Sequence, residues 1–322
     1  MIVEGSGIFI FLESRLYNMA EIASFAIVLS IFYWYIIGME RLNPLNDFLF
    51  LKLMGEEGNE VQCLSFLNAV LGSKGNRTRG SQPINLIKIL ENRTITADVI
   101  GEKTSILDVR VETDTGEKCN IEVQLKDLHN MERRTLFYWG REFTRGISEG
   151  DDYLLLPKVI TINIVNFDNI KLNDFHTCFH LWEDDRKDYL LTDALEIHFI
   201  NMKKFRQLKT GDIAHNPLER WLTFLDKETP LEIIEEVVKM DTAINKANER
   251  LNFVSQDKEF LRNYHLREMS MSDRTTELNT SFERGVEQRN MEIAKNAKNK
   301  GLSIELIKDL TGLDTETIQS IV

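Results

Sequence analysis

Between Ile106 and Leu125 apolar and polar residues alternate with a period of two on either side of a polar turn. Leu107, Val109 and Val111 share one face of the first stretch, and Asp108, Arg110 and Glu112 share the other. In the second stretch Ile121, Val123 and Leu125 oppose Asn120, Glu122 and Gln124. Successive strand side chains point to opposite faces, so each stretch predicts a strand with one apolar and one polar side. The intervening Thr113-Asp114-Thr115-Gly116-Glu117-Lys118 is turn-forming. A three-residue loop, Asp114-Thr115-Gly116, with Gly116 left-handed, sets Asp108 directly opposite Glu122. A slip of one residue would turn Val109 onto the polar face, so the alternation demands the same register. Both carboxylates are therefore expected on one surface with Cβ atoms about 5 Å apart, and Gln124 faces the same way two residues on.

The remaining pattern predicts helices and strands around this hairpin. Asn43-Pro44 opens a loop, and a helix begins at Asp47 with Phe50, Leu53 and Met54 on one face. Gly58-Asn59 interrupts it, and a second helix runs from Glu60 to Leu71, stopped by Gly72. Ser73 to Gln82, with Lys74, Arg77 and Arg79, reads as a solvated polar loop, and Leu86 to Ile100 as a strand leading to the hairpin. Met131 to Ile147 is a helix in which Leu136, Trp139, Phe143 and Ile147 should pack on the sheet. Its Arg134, Tyr138, Arg141 and Arg145 form a separate basic stripe. Two readings of that stripe stay open: a grip on a phosphate backbone, or a solvated face partly neutralised by Glu132 and Glu142.

Lys158 to Phe167 is continuously β-prone, the pattern of a strand covered on both faces. Phe175 to Trp182 and Leu195 to Ile200 make an antiparallel pair. His176, Cys178 and His180 lie close together there, but with no fourth ligand at zinc-site spacing they read as ordinary hairpin residues. From Pro217 the chain is helical and charged. Leu231 to Met240 is amphipathic, and Thr275 to Lys300 is polar enough to project or pack loosely. Leu302 to Leu310, a Thr311-Gly312 turn, and Asp314 to Ile321 resemble a helix-turn-helix. Lys308 is its only basic residue, against Glu305, Asp309, Asp314 and Glu316, so self-association or capping of the tail suits it better than reading DNA.

A chain of 322 residues has length for about two domains. Its net charge of −12 argues against broad, sequence-independent phosphate binding, so any contact with nucleic acid must be local or metal-assisted. Cys63, Cys119 and Cys178 are dispersed without CxxC spacing, as reduced thiols would be, which excludes a zinc ribbon. Ile22 to Met39, 18 residues without a charge, barely reaches membrane-spanning length and has no signal-peptide n-region before it. Residues 1–38 thus form an apolar extension with two readings. Translation begins at Met39 and the protein is cytoplasmic, which is the preferred one, or residues 22–38 are a single-pass membrane anchor.

Adjacent carboxylates at Asp108 and Glu122 suit Mg²⁺, which prefers oxygen ligands and is usually held by one or two carboxylates plus water and phosphate. A cation there relieves their repulsion and activates water for attack on phosphorus. The alternative on these residues alone is a surface hairpin whose polar face is merely solvated.

The run Leu107-Asp108-Val109, then Ile121-Glu122-Val123-Gln124 after the turn, resembles the active-site signature of the PD-(D/E)XK nuclease family transposases, also called recombination-promoting nucleases. Asn46-Asp47-Phe48-Leu49-Phe50 with Leu53-Met54-Gly55 is similar to that family's opening helix. Arg134 to Trp139, Gly150-Asp151-Asp152-Tyr153, Pro157-Lys158-Val159-Ile160 and Leu195 to Phe199 are similar to its later blocks, so the likeness runs from about residue 43 to 208. It implies an α/β restriction-endonuclease-like core, a mixed central sheet flanked by helices, over residues 43–208, with a helical carboxy-terminal region over 217–322. It also implies a DNA endonuclease dependent on Mg²⁺, with Mn²⁺ as substitute. Asp108 and Glu122 would hold the metal and Gln124 would orient water or phosphate. Arg134, Tyr138, Arg141 and Arg145 would contact DNA. An acid from an early helix often completes such sites, and Glu60 is the candidate, with Glu57 behind it; both could instead favour the positive end of their helix. Two departures stand out: the proline of the family name is Leu107 here, and the third position, often Lys in the wider superfamily and commonly Gln in this branch, is the uncharged Gln124, able only to hydrogen-bond. The rivals are a DNA-binding accessory without catalysis and a membrane-tethered interaction protein. Homo-oligomerisation through the carboxy-terminal helices is a further expectation.

Overall fold

The computed structural model describes residues 3–4, 7–8, 41–73, 83–90, 108–186 and 188–321. Residues 22–38, with both readings attached to them, lie outside the described residues, as do the loop at 74–82 and the part of the expected strand beyond residue 90. Among the described residues no helix is long and apolar enough to cross a membrane.

Two short strands at the amino terminus, β1 (Val3–Glu4) and β2 (Gly7–Ile8), pair with each other. The main sheet is built on the hairpin of β4 (Val109–Thr113) and β5 (Lys118–Gln124). Its turn closes through Gly116 N–H to the Thr113 carbonyl and Thr113 N–H to the Glu117 carbonyl, both 3.0 Å, with Gly116 at φ 82°. That backbone conformation is one a side chain with Cβ rarely adopts, which is why glycine closes this loop. Val109 pairs with Ile121 and Arg110 with Asn120, the register that the alternation demands.

β3 (Ile87–Ile89) flanks β4, while β6 (Val159–Val165) runs parallel to β5 and β8 (Leu190–Asn201) parallel to β6. β7 (His176–Trp182) returns antiparallel along the outside of β8, giving the order β3-β4-β5-β6-β8-β7. All seven residues of β6 are buried, as a central strand covered on both faces should be.

From β4 to β6 one face of this sheet is apolar, and the apolar surface reaches Ile200 of β8. Val109, Val111, Ile121, Val123, Ile160, Ile162, Ile164 and Ile200 meet α1 (Asp47–Met54) and α2 (Glu60–Ser73) in one apolar cluster. Asn46 caps α1 by accepting from Phe48 and Leu49 N–H. Gly72 does not stop α2, which runs on to Ser73. α4 (Met202–Leu208) follows β8 directly, and α5 (Pro217–Leu225), α6 (Leu231–Met240) and α7 (Thr242–Val254) complete the helical layer. Trp221 and Phe224 of α5 and Ile244 and Leu251 of α7 join the same cluster as α1 and α2.

The opposite face is crossed by α3 (Met131–Phe143), the connection between β5 and β6. Here the sequence pattern misleads. Leu136 is half exposed, and the side chains that α3 buries are Met131, Thr135 and Glu142. The reason is that the middle of this sheet face is polar. Thr135 donates to Thr161 Oγ1 and accepts from Asn163 Nδ2, so the helix turns a hydrogen-bonding residue inward and keeps Leu136 out. Apolar contact is confined to one end, where Met131 and Trp139 meet Val165, Leu195, Ile197 and Phe199. The helix also ends at Phe143, short of Ile147.

α8 (Lys258–Asn299) is 42 residues long. Its first turns dock through Phe260 and Tyr264, and through Arg267, whose guanidinium donates to both oxygens of Asp47 at 2.5–3.1 Å. Beyond that it projects, with Leu278, Phe282 and Val286 exposed. Its far end carries a small cluster of Ala294 and Ala297 with Ile307 of α9 (Ile304–Thr311) and Ile318 of α10 (Thr315–Ser320), the turn between α9 and α10 falling at Gly312.

Arg267 is 2% exposed, so losing its charge strands Asp47 without its main partner. Arg267→Leu should cost about 3 kcal/mol in urea denaturation, whereas the same change at exposed Arg262 should stay within about 0.5 kcal/mol. Equal effects at the two positions would mean that the buried pair does not anchor α8.

Candidate active site under the connecting helix

The β4–β5 register, carried one residue past the Val109–Ile121 pair, sets Asp108 opposite Glu122 on the face that α3 covers. Gln124 follows on the same side, paired in the sheet with Val165, as Glu122 is with Asn163. The polar face is thus not a solvated surface. Glu122 and Gln124 are buried, and Asp108 is half-buried.

Burial pushes both carboxyls above their usual range. At Glu122 it outweighs the attraction and hydrogen bond of Arg134, and the Asp108 and Asp47 carboxylates raise it further. At Asp108 burial again leads, opposed by a backbone hydrogen bond and by Arg110 and Arg141, and reinforced by Glu142. The two acids therefore lie close enough to feel each other.

Arg134 is part of this site rather than of an open stripe. Its Nε and Nη2 both reach Glu122 Oε1, at 2.7 and 2.6 Å, so Oε2 is not engaged by it. The guanidinium also sits over the Tyr138 ring, 5.6 Å from its centre. Burial raises the Tyr138 hydroxyl's pKa, with Arg134 and Arg141 pulling it down and Glu122 and Asp108 pushing it up, which places Tyr138 beside the same charges. Arg141 is exposed, and its charge reaches both Asp108 and Tyr138. Arg145 pairs with Glu142 at 2.9 Å, and Glu142 also holds Arg110 at 2.9 Å. Arg134, Tyr138 and Arg141 are thereby grouped at the acids, while Arg145 is turned to Glu142. Gln124 donates from Nε2 to the Lys126 carbonyl at 2.9 Å, which fixes its amide plane.

Glu60 lies at the start of α2 and accepts from Gly58 N–H at 3.2 Å, and Glu57 is exposed. The early-helix acid whose charge acts on Glu122 is instead Asp47, in the first turn of α1. Asp47 also lines a cleft of about 190 Å³ with Lys126, past the end of β5, and with Glu268 and Ser272 of α8. The signal for it was present, because Asp47 belongs to the Asn46-Asp47-Phe48 block, but an N-terminal helix acid reads most simply as a dipole partner.

A mixed six-stranded sheet with helices on both faces, carrying a paired Asp and Glu on adjacent strands, defines a restriction-endonuclease-like nuclease fold. The family model for PD-(D/E)XK nuclease family transposases matches residues 44–281, and the chain belongs to that family. No curated protein and no solved structure matches it.

The raised carboxyls carry a stability consequence. A carboxyl whose folded pKa lies above its unfolded one contributes fully below the unfolded value and loses that contribution as pH rises through the folded value. The wild type should therefore weaken relative to Asp108→Asn as pH climbs from about 4. In urea melts without divalent ions the Asn variant should have the higher midpoint near neutral pH, with the gap shrinking toward pH 4. A variant weaker than wild type at neutral pH would show that Asp108 is not electrostatically strained.

Proposed function

We propose that this protein is a metal-dependent DNA endonuclease that hydrolyses phosphodiester bonds. The observation that carries the proposal is the Asp108–Glu122 pair, two hard oxygen donors that share a polar site and whose pKa values burial raises, with the Asp108 charge adding to the rise at Glu122. That donor set fits Mg²⁺ or Mn²⁺, since a divalent cation would replace two protons the site is already inclined to take up. Asp108 and Glu122, the latter through the oxygen that Arg134 leaves, would hold the ion, and Asp47, both of whose oxygens Arg267 engages, would act on the site through its charge where Glu60 was expected. When bound it supplies charge stabilisation at phosphorus and lowers the pKa of water.

The chain's own residues divide the rest of the work. Arg134 fixes the Glu122 rotamer, so that one carboxylate edge stays oriented. Gln124, held by the Lys126 carbonyl, offers a neutral hydrogen bond to water or a phosphate oxygen, with no ammonium to help it. Arg141, exposed beside Asp108, and the Tyr138 hydroxyl supply local phosphate contacts. Such contacts have to be local in a chain of net charge −12.

Gln124 also favours a second reading, a DNA-binding accessory without cleavage. Supercoiled plasmid incubated with the protein and Mg²⁺ or Mn²⁺ separates the two. Nicking by wild type that falls by about 100-fold or more in Asp108→Ala supports the enzyme. Plasmid bound but left intact with both metals supports the accessory. Among nicking-competent variants, Arg141→Ala should raise KM more than it lowers kcat, the mark of a binding contact.

A further inference from the structure

The sheet face opposite Glu122 carries a second set of chemistry-bearing side chains. Strand register places Glu196 and His198 of β8 beside His176 and Cys178 of β7, all on the side away from α3. The sequence pattern showed His176, Cys178 and His180 without a further ligand; the missing donors come from the neighbouring strand, some twenty residues on. Cys178, His180 and Glu196 present Sγ, an imidazole nitrogen and a carboxylate oxygen all within 4.8 Å of one another. His198 Nε2 lies 3.7 Å from Cys178 Sγ and 2.9 Å from Glu196 Oε1. Cys178 Sγ is 3.8 Å from His180 Nδ1. Ligand bonds of 2.0–2.3 Å in a tetrahedron separate sulfur and nitrogen by roughly 3.5 Å, so the thiol already sits near the spacing a zinc shell requires.

We propose that Cys178, His180 and Glu196, with His198 as the fourth donor, form a Zn²⁺ site that is separate from the nuclease centre and pins the edge strand β7 to β8.

Three features support this. First, the donors are oriented from outside, as metal-bound imidazoles are. His198 Nδ1 meets His176 Nε2 at 2.9 Å and His176 Nδ1 meets Ser73 Oγ at 3.4 Å, which leaves His198 Nε2 turned to the cluster. Lys158 Nζ at 2.6 Å from Glu196 Oε2 is the corresponding outer partner of the carboxylate, and Glu117, 3.7 Å from Lys158, balances it. Second, the burial is graded. Glu196 and His198 are fully buried, the His180 side chain keeps 6% exposure and Cys178 is half-buried, so an ion would enter past Cys178 on the β7 side. Third, β7 has an irregular register against β8 between Phe179 and Trp182, next to His180. An edge strand that loses regular pairing there gains most from a cross-link.

A thiolate, imidazole and carboxylate set suits zinc and is wrong for Mg²⁺, which takes oxygen ligands, so the two sites would not compete for one ion. The full-length protein, stripped with chelator, reloaded with ZnCl₂ and desalted, should retain one zinc per chain by elemental mass spectrometry. Asp108→Asn should retain it, and the Cys178→Ser, His180→Ala double variant should not. His198→Ala should weaken zinc affinity by about 10–100-fold. Co²⁺ in the unmodified protein should give a thiolate charge-transfer band and the strong visible bands of a tetrahedral site, a readout that needs no variant to fold. Zinc at buffer level in the reloaded wild type, a cobalt spectrum without the thiolate band, or full zinc retention by the folded double variant would each overturn the proposal. None of these outcomes bears on plasmid nicking, so the zinc site and the nuclease reading stand or fall separately.

Discussion

The pairing of β4 with β5 is constrained from two directions. At the turn, Gly116 takes a left-handed conformation that closes a three-residue loop. Along the strands, Val109, Val111, Ile121 and Val123 must all reach the apolar cluster beneath α1 and α2. Both constraints have the same solution, and in that register Asp108 and Glu122 share the other face. A slipped hairpin would bury its acids in the apolar layer, where an unpaired charge is far costlier than a lost ladder bond. The position of the acids therefore follows from the packing of their neighbours.

The cost of that arrangement is visible around it. The middle of the sheet's second face holds Asn120, Glu122, Thr161 and Asn163, and it is covered rather than left wet. α3 covers it with matching chemistry, through Thr135 on Thr161 and Asn163, Arg134 on Glu122 and Glu142 on Arg110. Even so, Asp108 and Glu122 keep raised pKa values, so the polar cover does not fully compensate their burial. Residual strain of this kind marks functional sites more often than structural ones.

The β4–β5 hairpin and its register were legible because the period of two is local and turn chemistry fixes its phase. The run of β6 and the bounds of α6 at Leu231–Met240 could likewise be read directly. What could not be read were facts about facing surfaces. Leu136 satisfies the helical pattern, but the strip it would pack on is polar, and the sequence of a helix does not say what lies opposite. Glu60 and Asp47 are both first-turn acids, and only the docking of α1 and α8 separates them. Glu196 and His198 joined Cys178 and His180 through strand pairing across a hairpin, which ligand spacing along one strand does not reveal. Arg134 looked like one member of an exposed stripe until the burial of Glu122 gave it a partner.

In the proposed site Asp108 and Glu122 jointly receive one hard cation. Crystals soaked in Mn²⁺ and measured at the manganese edge test it most directly. An anomalous peak is expected within bonding distance of a carboxylate oxygen from each residue, with Arg134 still on Glu122 Oε1. Manganese bound elsewhere, with the two carboxyl groups left facing each other and no peak between them, would contradict it.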